Sequence, residues 1–330
     1  GRAIAIHPMV CHPFNADFDG DTMSLHVPLS PEAILESYML LLSIHNIRSP
    51  ADGRALMAPT KDIIVGLYYL TKDKKHKDQK IRLFSSADEI EIALTNRTIT
   101  LHDPVKYECK NKVIDTTAGR VIFNNLLPEE LQFRNQTMNK RLLEDIVDEC
   151  LDKIGTEKTI ELLDSMKKAG FEYATKSGLT IGIDDMVTPR IKEKIWQKGT
   201  KEIMEINRAH KNGLISETER YNKIIDTWTR VAMDIEENLL ENLEKSRDGF
   251  NPLYMMVHSG SRGSRNQACQ ICGLRGLMSK PQRKVTSVQI IETPIKSSCK
   301  EGLSVLEYFI STHGARKGLA DTALKTADAG

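Results

Sequence analysis

No stretch of eighteen apolar residues occurs in the 330 positions, so no membrane-spanning helix is expected. The run Tyr38-Met39-Leu40-Leu41-Leu42 is far too short. An excess of charge of one sign is missing too. With 46 Lys and Arg against 45 Asp and Glu, the net charge of +1 creates no global basic field of the kind that announces a nucleic-acid binder. Among six scattered cysteines only Cys269 and Cys272 have C-x₂-C spacing, and no second ligand pair completes a structural zinc site. Reduced thiols on a helix are the expected reading. The amino end, Gly1-Arg2, has neither an initiator Met nor an apolar h-region. It is not a signal peptide and reads as part of something longer.

What is present is enough apolar material, 40% of residues, for two or three packed units. The near-neutral average hides a gradient. Residues 201–250 carry eight Lys/Arg and eleven Asp/Glu, whereas 251–330 carry eleven against five. Contacts with phosphates are therefore expected in the last quarter.

The stretch Asn15-Ala16-Asp17-Phe18-Asp19-Gly20-Asp21 holds three carboxylates at alternating positions. In extended backbone, alternate side chains share one face, and like charges so close repel. A hard divalent cation relieves that repulsion, and Mg²⁺ takes oxygen ligands while keeping several waters. Gly20 permits a turn that a side chain would obstruct. An EF-hand also begins D-x-D-x-D, but it needs Gly at its sixth position and Glu at its twelfth. Here those positions hold Thr22 and Pro28. A solvated acidic loop is the bland alternative. The flanks His7-Pro8-Met9-Val10 and Leu25-His26-Val27-Pro28 argue against it, because they read as buried strand.

These seven residues resemble the metal-binding loop of the largest catalytic subunit of multisubunit RNA polymerases, closest to the bacterial β′ type or its plastid counterpart. Further resemblances follow in family order at Ser49-Pro50-Ala51-Asp52-Gly53, Gly66-Leu67-Tyr68-Tyr69, Glu219-Arg220-Tyr221-Asn222-Lys223, Gly273-Leu274-Arg275-Gly276-Leu277-Met278 and Ser311–Asp321. The resemblance implies an α+β chain. Residues 1–43 would be the end of a double-psi β-barrel catalytic domain, 44–187 a pore or secondary-channel region, 188–250 a funnel helical hairpin, and 251–330 a substrate loop with the start of a bridge helix.

Pattern supports parts of this map. Residues 1–30 read as short strands, with Pro8, Pro13 and Pro28 breaking any helix. Ser30-Pro31 starts a helix with Ser as cap and Pro at its first position. Its apolar residues Ile34, Leu35, Tyr38, Leu41 and Leu42 follow at helical spacing. A helix is expected near 62–70, a strand at Thr98–Leu101, a charged connector at 72–80 and helix again over 138–170. Residues 190–246 form a helical hairpin with a stripe of Tyr221, Ile224, Trp228, Val231, Ile235, Leu239 and Asn242. Ser216 and Glu219 form its capping box, and Asn212-Gly213 ends its first helix. Leu303, Leu306, Phe309 and Ile310 predict a last helix. Gly314 and Gly318 inside it cost about 1 kcal/mol each relative to Ala and point to close packing or bending.

The resemblance also implies chemistry. Asp17, Asp19 and Asp21 would hold one Mg²⁺ and share a second that arrives with the nucleotide, in a two-metal nucleotidyl transfer. Asn15 would bond a ribose hydroxyl; an Asn that caps the loop backbone is the alternative. Arg262 would meet the triphosphate, against a solvated Arg in a glycine-flanked loop. Arg316, Lys317 and Lys325 would face nucleic acid, with a solvated basic face as alternative, and Thr326 and Ala327 would lie beneath the templating base pair. No zinc is expected in this segment, and no membrane contact. Partners would be DNA template, RNA transcript, ribonucleoside triphosphates, the β, α and ω subunits, a sigma factor and secondary-channel regulators, in the bacterial cytoplasm and nucleoid or the plastid stroma.

Three departures from the β′ pattern stand out. Lys61 and Thr22 replace usual Gln residues, and 281–291 exceeds the short turn expected there. A docking scaffold built on the hairpin is the competing function, and three clustered carboxylates have no physical use in it. A D-x-D glycosyltransferase would need a nucleotide-sugar domain of repeated βαβ units, and the sequence pattern predicts no such domain.

Overall fold

A computed structural model describes residues 3–74, 81–109, 112–280 and 290–330. The chain divides into two compact units, one of residues 1–179 with 258–262, the other of residues 180–257 with 263–330. The architecture is mixed α+β. Part of the charged connector (75–80) and most of the longer turn (281–289) lie outside the described residues.

The first unit begins with α1 (Cys11–Phe14) and α2 (Pro31–Glu36), followed by α3 (Asp62–Thr71). Next come β1 (Arg82–Phe84), α4 (Ala87–Thr95), β2 (Pro104–Cys109), β3 (Lys112–Thr117) and α5 (Ala118–Asn125). It closes with α6 (Lys140–Lys153) and α7 (Thr156–Ser177). The core lies between α3 and α7. Both helices lack a side chain where they cross: a Cβ on Gly66 would sit 1.8 Å from the Gly170 carbonyl oxygen. That backbone approach buries Ile63, Ile64, Leu67 and Leu70 against Leu162, Met166 and α6 residues Leu143, Ile146 and Val147. A second small core forms where α4 and α5 cover a three-stranded sheet of order β1-β2-β3. There β1 is parallel and β2–β3 antiparallel, and Phe84, Ile90, Val105 and Val121 are buried.

The amino-terminal strands are not found: among the described residues 3–30 none pairs in a ladder. Pro8 opens a 3₁₀ turn (Pro8–Val10), and Pro13 lies in the first turn of α1. A missing N–H costs nothing there, since first-turn N–H groups have no intrahelical partner. Met9 and Val10 are buried as expected, but Leu25 and Val27 are exposed. A strand needs a neighbour, and this stretch has none among the described residues. Thr98–Leu101 is likewise a turn, in which the Thr98 N–H and hydroxyl both donate to the Ala93 carbonyl. Ser30 does cap α2, accepting from the Ala33 N–H, yet Leu35, Tyr38 and Leu41 remain exposed.

The second unit is organised by an antiparallel pair, α8 (Lys192–Lys211) and α9 (Glu217–Lys245). Ile224, Trp228, Val231, Ile235 and Leu239 are buried as the stripe requires, and Leu243 takes the place assigned to Asn242. Trp196 and Trp228 stack with ring centroids 4.4 Å apart. Ser216 caps α9 by accepting from the Glu219 N–H, while the Glu219 carboxylate pairs with Lys223 instead of closing the box. Gly213, at φ +72°, ends the α8 turn as expected. Helices α10 (Pro252–Ser259) and α11 (Arg265–Cys272) follow, and α11 carries Cys269 and Cys272, both buried. Burial raises the Cys272 thiol to about 11. The last helix, α12 (Val305–Ala329), opens with a full capping box of Ser304 and Glu307 and runs through both glycines.

Candidate metal centre

The acidic loop is shaped by its backbone. Helix α1 ends at Asn15, which takes the left-handed conformation (φ 47°, ψ 40°) and donates its N–H to Cys11 and His12 carbonyls. Asn tolerates this conformation better than most residues, so Asn15 has a backbone role whatever its amide does. The chain reverses again at Gly20, whose φ of +127° side chains rarely adopt. Nothing lies within 4 Å of where its Cβ would be, so conformation and not space demands glycine. Between the two reversals the Asp17 N–H donates to an Asp21 carboxylate oxygen at 3.1 Å.

The result is convergence. One carboxylate oxygen from each of Asp17, Asp19 and Asp21 lies within 4.8 Å of the others, all exposed. A hydrogen bond with Asp17, followed by that group's charge, raises the Asp19 carboxyl above the ordinary range. Asp17 is lowered, chiefly by the same bond and also by the positive charge of Lys61. The two shifts run in opposite directions, as expected of crowded anions that repel. Three hard oxygen donors this close fit a divalent ion such as Mg²⁺, which takes oxygen ligands at about 2.1 Å.

The other expected residues are placed less tightly. Arg262 is exposed on a turn flanked by Gly260 (φ +76°) and Gly263 (φ +82°). Arg316, Lys325, Thr326 and Ala327 are exposed on α12, and Lys317 is half-buried there. The Thr326 hydroxyl donates to the Thr322 carbonyl. Sequence reasoning missed a cleft of about 940 Å³ in the first unit, lined by His12, Arg54, Lys140, Arg141, Asp145 and His258. Its residues come from distant stretches, so no local pattern signals it. It also missed the conformation of Lys61, whose φ of +48° is unusual outside glycine. The Lys61-Asp62 helix boundary was its only signal.

Four consecutive family models match along the chain: RNA polymerase Rpb1 domain 2 at residues 1–43, domain 3 at 46–186, domain 4 at 215–300 and domain 5 at 302–330. The chain belongs to the RNA polymerase Rpb1 family. Its relatives include the DNA-directed RNA polymerase subunit beta' of three bacteria. Identity is 47% over 331 residues for Pelotomaculum thermopropionicum, 47% over 346 for Amoebophilus asiaticus and 48% over 348 for Methylacidiphilum infernorum. Each comparison covers all of this chain but only 28%, 24% and 25% of the relative. The chain thus spans about a quarter of the length of these curated relatives.

Proposed function

We propose that this chain is the catalytic segment of a β′-type subunit and takes part in template-directed RNA synthesis from ribonucleoside triphosphates inside a multisubunit polymerase. The observation that carries the proposal is the convergence of Asp17, Asp19 and Asp21 in a chain matched end to end by Rpb1 domains. Bound Mg²⁺ supplies a lowered pKa for the attacking 3′-hydroxyl and neutralises the departing pyrophosphate, one ion held by the triplet and one brought by the nucleotide.

The chain's own residues bind and orient. Asp17, Asp19 and Asp21 would coordinate as ionised carboxylates. The Asn15 amide bonds a ribose hydroxyl, a contact that distinguishes RNA precursors from DNA precursors. The Arg262 fork receives triphosphate oxygens, and its flanking glycines allow close approach. On α12, Arg316, Lys317 and Lys325 face nucleic-acid backbone, and the small Thr326 and Ala327 leave room beneath the templating pair. In this reading α12 is the start of the bridge helix, α8–α9 is the funnel hairpin on which secondary-channel regulators dock, and 44–187 borders the channel. Residues 1–43 complete a double-psi barrel whose other strands belong to the rest of the subunit. The exposed Leu25, Val27 and Leu29 agree with that. The β, α and ω subunits, a sigma factor and DNA complete the machine, in the bacterial nucleoid or plastid stroma.

The test is Asp19→Ala in the full assembly. Elongation should vanish while the subunits still assemble. An assembled enzyme that still extends RNA refutes the proposal, and loss of assembly together with activity would favour the scaffold reading.

A further inference from the structure

Only one residue of α12, Ser311, is buried, although the helix runs for 25 residues. A helix with so little core contact takes its position from whatever grips its ends, since helical stability in proteins comes mainly from tertiary packing. The grip lies in residues 290–301, which run as a strap along the α8–α9 pair and lead into the α12 cap.

The strap is fastened at three levels. Near the α8–α9 connection, the Tyr221 hydroxyl donates to the Ile290 carbonyl at 3.2 Å and accepts from the Ile290 N–H at 3.1 Å. Beside it the Arg220 guanidinium forks onto both Glu292 oxygens, at 3.0 and 3.1 Å, and also pairs with Glu217 and Asn207. Those two carboxylates raise the already high Arg220 pKa. Further along, Lys296 pairs with Glu193 at 2.7 Å and lies over the Trp196 ring at 5.8 Å. At the start of α8, Glu301 pairs with the buried Lys192. From Asn207 to Lys192 the strap follows about 22 Å of helix.

Its other edge is held as well. Ile295 and Gly276 exchange both backbone bonds, at 2.9 and 3.0 Å, and the Arg275 N–H donates to the Ser297 carbonyl at 3.0 Å. The chain of contacts then enters α12. The Ser297 hydroxyl donates to Glu307 at 3.0 Å, and Arg275 Nε donates to the Ser311 hydroxyl at 3.2 Å.

We propose that the helical hairpin is the seat of α12 and that Arg220 and Tyr221 are positioning residues for nucleotide addition, acting through the strap. The inference rests on the reading that α12 works at the polymerisation site. Arg220 touches no reacting atom; it fixes the far end of the element that sets where α12 starts. A bidentate fork suits this better than an ammonium would, because it fixes angle as well as distance.

The experiment uses the assembled polymerase carrying Arg220→Gln, Glu292→Gln or both. Each single change should lower the maximal rate of nucleotide addition about fivefold while the half-saturating nucleotide concentration moves less than twofold. The double variant should be no slower than either single. Amide exchange over 304–311 should accelerate at least tenfold, with 224–243 in α9 as protected as before. Rates within twofold of the parent, a double variant that multiplies the two losses, unchanged exchange in α12, or lost protection in α9 would each overturn the proposal. Failure of the polymerase reading shows separately, as RNA synthesis that survives Asp19→Ala.

Discussion

Gly66→Ala should be among the most damaging single-methyl changes in the chain, although helix propensity favours it. In an isolated helix, Ala in place of Gly gains about 1 kcal/mol. Here the new Cβ would sit 1.8 Å from the Gly170 carbonyl oxygen, 2.7 Å from its carbon and 2.8 Å from the Ala174 nitrogen. All three are backbone atoms, so no side chain can rotate away. Real Cβ contacts essentially never fall below 3.0 Å, and α3 and α7 must therefore part by more than about 1 Å. A gap of that size forfeits a quarter to a half of the dispersion well for each atom pair across it. Those pairs include Ile63, Leu67, Leu162 and Met166, all nearly fully buried. Set against core truncations, the loss is about 3–5 kcal/mol before the propensity gain and about 2–4 after it. For a unit of this size each kcal/mol shifts the midpoint by about 2–4 °C, so the first unit should melt about 10 °C lower. Calorimetry on the purified chain reads this directly. The control is Gly318→Ala in α12, where nothing lies within 4 Å of the added methyl. There the propensity term stands alone, and helicity should hold or rise. If Gly66→Ala melts within about 2 °C of the parent, the backbone contact between α3 and α7 is not what holds the first unit.

Two further outcomes follow from the loop and from a partly exposed ion pair. Gly20→Ala should leave the midpoint within about 2 °C, because the site is open, yet strain the loop by about 1–3 kcal/mol. Divalent-ion binding in the assembled enzyme, followed with Mn²⁺ by electron paramagnetic resonance, should weaken about tenfold or more, and unaltered binding would count against the loop geometry. Glu149 is held below its ordinary pKa by its hydrogen bond to Lys153 and by the Arg134 charge. A depressed carboxylate stabilises above its unfolded pKa, near 4.5, and that contribution is lost as pH falls through the folded value. Glu149→Gln should therefore destabilise the chain by at most about 1 kcal/mol at pH 7, since water screens the pair. The gap between variant and parent should close in acid, and a gap that persists at pH 2 would assign the effect to packing.

The parts of this protein that the sequence announced are those governed by neighbours in the chain. Ser30-Pro31, Ser216 and Asn212-Gly213 mark helix ends through bonds that span three or four residues, and the structure places helix ends at each. The α9 stripe held because α8 and α11 both pack against it. It slipped by one position only at its end, where Leu243 replaces Asn242. The acidic triplet was legible for the same reason, since two backbone reversals within six residues bring its oxygens together. What failed had two causes. Leu25-His26-Val27 has the composition of a strand but pairs with nothing among the described residues, and at Thr98–Leu101 a local bond won, Thr98 donating to the Ala93 carbonyl five positions back. The strap was illegible for a related reason. Arg220 and Glu292 are 72 positions apart, and neither the Glu219–Lys223 match nor the charge balance of the hairpin singles out that pair. The charges of the hairpin are therefore not only a solvated face. One of them, Arg220, is 15% exposed and holds the approach to a helix that has almost no core of its own. In this chain the hydrophobic stripe builds the hairpin, and its ion pairs determine what the hairpin supports.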